Sequence, residues 1–301
     1  MMAGMPSASS TPSPESGSGN PAPEPVRRTV TPGRALAWRD GKVIERPERM
    51  ATEEPMEIRA GGPGQEPVSV AVTMRTPGHD FELAVGFMVG EGLIHARDEV
   101  ASVRYCDLPG GEPQLYNVVS VFLNRPFDPG GAERRFYTTS SCGICGKASL
   151  DQVEVHCSAI PDGEPLPASV VVSLPDALRK AQRIFEQTGG LHAAGLFDRS
   201  GKAVAVREDV GRHNAVDKLV GRSLLAGELP LSDKVLMLSG RVSFELVQKA
   251  AVAGIPVLCA VSAPSSLAVE AAERLGLAVV GFVRGRGFNV YCHPERLDLQ
   301  R

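Results

Sequence analysis

Aromatic residues, net charge, long apolar runs and paired metal motifs are all scarce in this sequence, and each shortage narrows what the chain can be. Aromatics make up 5% of it, with a single tryptophan, against 43% hydrophobic and 22% charged residues. With glycine and proline plentiful, that describes a soluble globular protein of α/β type. The formal charge of -3 gives no sign of a nucleic-acid partner. No apolar run reaches the length of a membrane span, so no membrane partner is expected. The N-terminus lacks a basic segment followed by an apolar one, so no secretory signal is expected and the location read is cytoplasmic. Cysteines number six, Cys106, Cys142, Cys145, Cys157, Cys259 and Cys292. They fit no small secreted scaffold, and in a reducing compartment a CxxC is catalytic or metal-binding rather than structural.

What is present begins with a biased tail. Fifteen of the first twenty-five residues are Ser, Pro or Gly, too polar a composition to offset ordering entropy, so 1–25 reads as disordered. A β-rich lobe with one helix is expected over 26–135. Its signals are a hairpin turn at Asp40-Gly41, a strand pair "PMEIRA" and "VSVAVTMRT", and strands at "VASVRYC" and "LYNVVSVFL". Between them "GHDFELAVGFMVGEGLI" reads as an amphipathic helix with Phe81, Ala84, Val85 and Met88 on one face. A CxxC loop occupies 136–150. Over 151–301 the rhythm changes to an α/β lobe. A helix starts near Pro175 and ends at glycines, a hairpin joins "AAGLFD" to "KAVAVRED", and helices then alternate with short apolar runs. Those runs indicate a mostly parallel sheet covered on both faces, beside an antiparallel N-terminal lobe.

The stretch "TSSCGICGKASL" admits several chemistries. A structural zinc site needs four ligands, but there is one CxxC, no HxxxH pair, and no other cysteine at ligand spacing. A zinc deaminase site needs H-x-E upstream of its CxxC, whereas the only H-x-E is His293-Pro294-Glu295, far downstream. A thioredoxin-like dithiol has an aromatic-rich lead, where this chain has Thr-Thr-Ser-Ser. A nucleophile fits the local chemistry best. Ser140 or Ser141 can cap a following helix with Cys142 in its first turn, and the helix N–H groups and Lys147 then favour thiolate. The plain alternative, two buried cysteines, sits badly with glycine-flanked, hydroxyl-led positions.

Four strand-to-helix junctions carry small residues and cations where open α/β sheets collect ligands. They are Gly211, Arg212, His213 and Asn214; Ser239, Gly240 and Arg241; Ser262, Ser265 and Ser266; and Arg284 and Arg286 between glycines. Such residues suit a large, multiply anionic ligand such as a nucleotide. Any one of them alone is equally well read as a solvated arginine or an ordinary cap, and His192 and His213 equally well as structural histidines.

Taken together, "SSCGICGK", "TGGLHAAGLFD", "REDVGRHNAVDKLVG", "SGRVSFELVQKA" and "GFVRGRGFNVYCHPERL" resemble the FdhD family of formate dehydrogenase accessory sulfurtransferases, over roughly Val26 to Leu297. The resemblance implies a cytoplasmic protein with a cytidine-deaminase-like α/β fold and no zinc. It implies a persulfide accepted from a cysteine desulfurase on Cys142, with Cys145 as second thiol. It implies delivery of that sulfur to a molybdenum bis(molybdopterin guanine dinucleotide) before formate dehydrogenase takes it up. It also implies cofactor contacts at Phe282, Val283, Arg284, Gly285, Arg286 and Gly287, alongside the junction residues Arg212, His213, Ser239 and Arg241, and a homodimer. The competing classes are a cofactor carrier without sulfur chemistry and a zinc-dependent deaminase-like enzyme.

Overall fold

The computed structural model describes residues 24–25, 27–106, 114–128 and 160–300. Strand β1 (Val30–Arg39) and strand β2 (Lys42–Ala51) form an antiparallel ribbon, paired from Val30↔Ala51 to Arg39↔Lys42. Asp40 and Gly41 turn it with φ of 52° and 77°, the two left-handed positions that favour Asp-Gly in tight hairpins. Strands β3 (Glu54–Gly61), β4 (Val68–Arg75), β5 (Val100–Tyr105) and β6 (Val118–Leu123) make a four-stranded sheet of order β4-β3-β6-β5. Its outer pairs are antiparallel, as expected of this lobe, while its central β3–β6 pair is parallel.

The C-terminal half contains β7 (Leu166–Pro167), helices α2 (Ala168–Ala181) and α3 (Arg183–Thr188), and strands β8 (His192–Phe197) and β9 (Ala203–Asp209). After them come α4 (Arg212–Leu225), β10 (Val235–Leu238), α5 (Phe244–Val252), β11 (Val257–Ala260), α6 (Ser266–Leu275), β12 (Ala278–Arg284), β13 (Gly287–Cys292) and β14 (Leu297–Asp298). Six of these strands form one sheet of order β13-β12-β11-β10-β8-β9. The expected parallel arrangement is confined to β10, β11 and β12. Pairings β13–β12, β10–β8 and β8–β9 are antiparallel, so the sheet is mixed rather than mostly parallel. Hairpins make the β8–β9 and β12–β13 pairs antiparallel, because a short turn returns the chain where a crossover helix would not, and β10 then pairs with β8 rather than with β9.

Both faces of this sheet are covered, as the unbroken apolar strands demand. Leu236, Leu238, Leu258, Ala260 and Val279 join a core with α4, α5 and α6. Val235, Met237, Val257, Cys259 and Val280 alternate onto the other face, against Val171, Leu174 and Leu178 of α2. Each fully buried side chain of this kind is worth roughly 1.5–3 kcal/mol relative to exposure. Helix α2 departs from expectation. It begins seven residues before Pro175, which stands inside it. The stripe Val171, Leu174 and Leu178, buried at helical spacing, supplies the packing that outweighs the hydrogen bond a proline removes.

Helix α1 (Asp80–Gly90) is a second correction. Phe81, Ala84, Val85 and Met88 are buried, but so are Leu83, Gly86, Val89 and Gly90. It is enclosed rather than amphipathic, because α4 crosses it in backbone contact. A Cβ on Gly86 would stand 1.8 Å from the Asp217 carbonyl oxygen, and one on Gly221 1.8 Å from that of Glu82. The core on this side runs without a break from Met56 and Ile58 of the four-stranded sheet, through α1 and α4, to the six-stranded one.

Charged groups pin the start of α1. Arg75 and Asp80, both fully buried, pair at 2.8 Å, and Arg75 also reaches Glu54 at 3.2 Å. The Tyr105 hydroxyl donates to Asp80 at 3.0 Å; burial first, then the Asp80 charge, pushes that phenol upward. Glu24, within the segment expected to be disordered, accepts from the Phe81 N–H. Its burial raises it above the usual carboxylate range, with the Asp80 charge acting the same way. Among the described residues no helix is long and apolar enough to cross a membrane.

Candidate functional site

Strand register brings the four junctions to one edge. Leu238 lies beside Ala260 in the parallel pair β10–β11, and beside Ala194 in the antiparallel pair β10–β8. His192 in turn pairs with Asp209 at the end of β9. The carboxyl ends of β9, β10, β11 and β12 and the amino end of β8 therefore share one side of the sheet. The start of β8 is a fifth contributor that strand-to-helix reasoning misses, because β8 runs opposite to its parallel neighbours. A cleft of about 640 Å³ opens there, lined among others by Arg179, Phe185, Gly190, His192, Ser239 and Val261. That is within the range of small-molecule sites.

The β9–α4 turn is held by a network absent from the sequence reading. Asp209, fully buried, pairs with Lys218 at 2.7 Å and accepts from the N–H groups of Thr76 at 3.1 Å and Gly211 at 2.8 Å. Lys218 also donates to the Thr76 carbonyl at 2.9 Å. Asn214, grouped with the ligand-facing residues in sequence, instead bonds Asp209 at 3.0 Å and the Met74 carbonyl at 2.8 Å. What the turn presents is Arg212 and His213. Arg212 Nε is buried without a hydrogen-bond partner among the described residues, an arrangement that a ligand acceptor would satisfy. His213 Nε2 lies 3.0 Å from both Ser243 Oγ and Glu245 Oε2, tying α4 to α5. The hydrogen bond from His213 is the main reason the Glu245 carboxyl is lowered. His192 is held below the usual imidazole range, first by burial and then by the charges of Arg212 and His213.

The other junctions divide between scaffold and surface. Ser239 Oγ accepts the Ala193 N–H at 2.8 Å, fastening β8 to the end of β10, while Arg241 beyond it is exposed. Ser265 caps α6, accepting from Ala268 at 3.2 Å. The last junction is a hairpin where the sequence suggested a loop, since β13 follows at once. The β12–β13 pairing is irregular between Gly281 and Arg284, and Phe282 there has φ 53°. A Cβ on Gly281 would meet the Ser262 carbonyl oxygen at 3.0 Å, so glycine eases the passage of β12 past that loop. The Arg284 guanidinium lies 5.2 Å from the Phe282 ring centroid. Gly285 turns the hairpin with φ 60°, and Arg284, Gly285, Arg286 and Gly287 are exposed. Val283 is fully buried in the core beneath, so it offers a ligand only its backbone.

Cys142 and Cys145, with Ser140, Ser141, Lys147 and Cys157, lie outside the described residues. Among the described residues no group of three or more His, Cys, Asp or Glu gathers as a metal site.

These features define a layered α/β protein with a cleft at the carboxyl edge of a mixed sheet, lined in part by Arg179, Ser239 and the lowered His192. Comparison with known proteins carries this to a family. Residues 51–298 match the FdhD/NarQ family model, and the chain belongs to that family. A protein of Streptomyces avermitilis named sulfur carrier protein FdhD is 53% identical over 279 residues, 89% of this chain and 95% of its own length. One of the same name from Thermoplasma volcanium is 45% identical over 258 residues, covering 84% and 91%. The crystal structure of a protein from Desulfotalea psychrophila, assigned by name as a formate dehydrogenase accessory protein, superposes with TM-score 0.69 at 26% identity. It spans 90% of this chain and 100% of its own.

Proposed function

We propose that this protein is a sulfurtransferase serving formate dehydrogenase: a carrier that takes sulfur onto Cys142 and passes it to a molybdenum bis(molybdopterin guanine dinucleotide) substrate seated at the strand edge. The observation that carries the sulfur role is similarity over nearly the whole length of proteins named as sulfur carriers. The cleft supports the second half. The strand edge on which it opens also carries exposed Arg241, Arg284 and Arg286 and an Arg212 Nε without a hydrogen-bond partner among the described residues, which suit a ligand bearing several phosphates.

In the loading step the Cys142 thiolate attacks the outer sulfur of a cysteine desulfurase persulfide. The donor's S–S bond breaks, its thiolate leaves with the electron pair, and a new S–S bond forms on Cys142, so no external oxidant or reductant is needed. Cys145 is the second thiol, able to support or resolve the persulfide. A cysteine desulfurase as donor, formate dehydrogenase as recipient and a second copy of the chain as partner complete this reading.

Mass spectrometry after incubation with a desulfurase and L-cysteine tests it. The expected result is one added sulfur atom on Cys142, lost in Cys142→Ala along with formate dehydrogenase maturation, and reduced less in Cys145→Ala. A protein that binds the cofactor but gains no sulfur would be a carrier of cofactor alone. For the strand edge, Arg284→Ala with Arg286→Ala should weaken guanine-nucleotide binding at least about tenfold by calorimetry, with charge-assisted contacts worth roughly 1.5–3 kcal/mol each. Sulfur loading on Cys142 should survive that change, and its loss together with binding would mark the two arginines as structural.

A further inference from the structure

The outer face of the four-stranded sheet carries a thiol that the proposed function leaves unused. Register sets Arg59 of β3, Ser120 of β6 and Arg104 of β5 in one row across three adjacent strands. Their sequence neighbours Ile58, Val119, Val103 and Tyr105 point into the core, so alternation turns this row away from it. Cys106 stands two residues after Arg104, and its N–H still bonds the Val118 carbonyl at 2.9 Å. It therefore continues the pairing and shares the outer face. A cavity of about 320 Å³ opens there, with Arg59, Arg104, Cys106, Ser120 and Phe122 in its lining.

The composition of this cavity is chemical rather than structural. Ser120 is polar yet only 3% exposed, sitting between two guanidinium-bearing residues. Arg104 lies over the Phe122 ring, 4.5 Å from its centroid, which places the cation at the cavity wall. Arg59 gives one nitrogen to Glu57 at 2.9 Å, leaving the rest of its fork, and exposed Glu66 lines the rim. Cys106 is half-buried and not in a disulfide. The hydrogen bond to Glu57 is the main reason the Arg59 guanidinium is raised. A nucleophilic sulfur beside two forked cations and a hydroxyl is an arrangement that can hold an oxyanion while its sulfur is taken.

We propose that this cavity is a second sulfur-accepting site, in which Arg59, Arg104 and Ser120 hold the oxygens of a small anionic sulfane-sulfur donor and Cys106 takes its outer sulfur. With thiosulfate, the Cys106 thiolate attacks the terminal sulfur and the S–S bond of thiosulfate breaks. Sulfite leaves with the electron pair, and an Sγ–S bond forms on Cys106. The sum of charges is the same before and after, and the proton of the thiol has gone to water beforehand. This inference does not rest on the Cys142 reading.

The test uses the full chain carrying Cys142→Ser and Cys145→Ser, so that neither thiol of the CxxC contributes. Incubation with thiosulfate alone should add one sulfur atom to the Cys106 peptide and release an equal amount of sulfite. Cys106→Ser should abolish both. Arg59→Ala with Arg104→Ala should slow the adduct at least about tenfold, and Arg104→Lys, which keeps a charge, should restore part of the rate. A thermal melt of each variant separates a lost site from a lost fold. No adduct on Cys106 in a folded protein overturns the proposal, and so does an adduct formed equally fast in the double arginine variant. Either result leaves sulfur loading on Cys142 to be judged by its own assay.

Discussion

His192 shows how the strand edge sets the state of one residue. Burial, reinforced by the Arg212 and His213 charges, depresses its imidazole below the ordinary 6.5. A depressed base contributes stability that is present above 6.5 and is lost as pH falls through the lower folded value, where the half-buried ring must charge beside Arg212. The melting temperature should therefore decline below about pH 6.5, with a shallower decline in His192→Gln; parallel curves for the two proteins would remove the assignment. A multiply anionic ligand on the edge offsets the same repulsion, so guanine-nucleotide binding near pH 6 should take up protons. That uptake is read as a calorimetric enthalpy that varies with the ionisation heat of the buffer.

Among the elements, the crossing of α1 and α4 is the least forgiving contact. Gly86 and Gly221 each face a carbonyl oxygen of the other helix at a distance that no Cβ can occupy. Gly86→Ala or Gly221→Ala must push the helices apart or distort them, and overpacking of that kind costs about 3 kcal/mol or more. The expected outcome is a matching loss of unfolding free energy in urea. A near-neutral alanine at either position would mean that the helices separate freely. The same crossing holds the Asp209–Lys218 network against Thr76, so a shift in α1 is transmitted to the turn bearing Arg212 and His213.

Over the whole molecule, one core joins the two sheets, so urea unfolding followed by far-ultraviolet circular dichroism should give a single cooperative transition. Tryptophan fluorescence should be a poor reporter of it. Trp38, the one tryptophan of the chain, is 71% exposed on the β1–β2 ribbon, near Leu36 at 74% and Val43 at 66%. Its emission should already lie near that of tryptophan in water in the folded protein and move little on unfolding. A blue-shifted native spectrum would show that the ribbon is covered in solution, as association of two copies through it would do.

The local features of this chain were legible because short-range chemistry dictates them. Asp40-Gly41 supplies left-handed turn geometry at little steric cost, the short apolar strands of the C-terminal half must be buried on both faces, and the junction glycines, serines and arginines mark the ends of those strands. The length and order of the shared motifs likewise determined the family. Tertiary structure alone decided the rest, because the deciding contacts join residues far apart in sequence. Pro175 is kept inside a helix by the sheet beneath it. Helix α1 is enclosed because α4 lies on its second face. Val283 turns inward and Asn214 becomes scaffold, while β8 enters the edge from its amino end because β10 pairs with it antiparallel. The row of Arg59, Ser120, Arg104 and Cys106 exists only after β3, β6 and β5 align, since residue spacing along one strand cannot state what its neighbours will bring beside it.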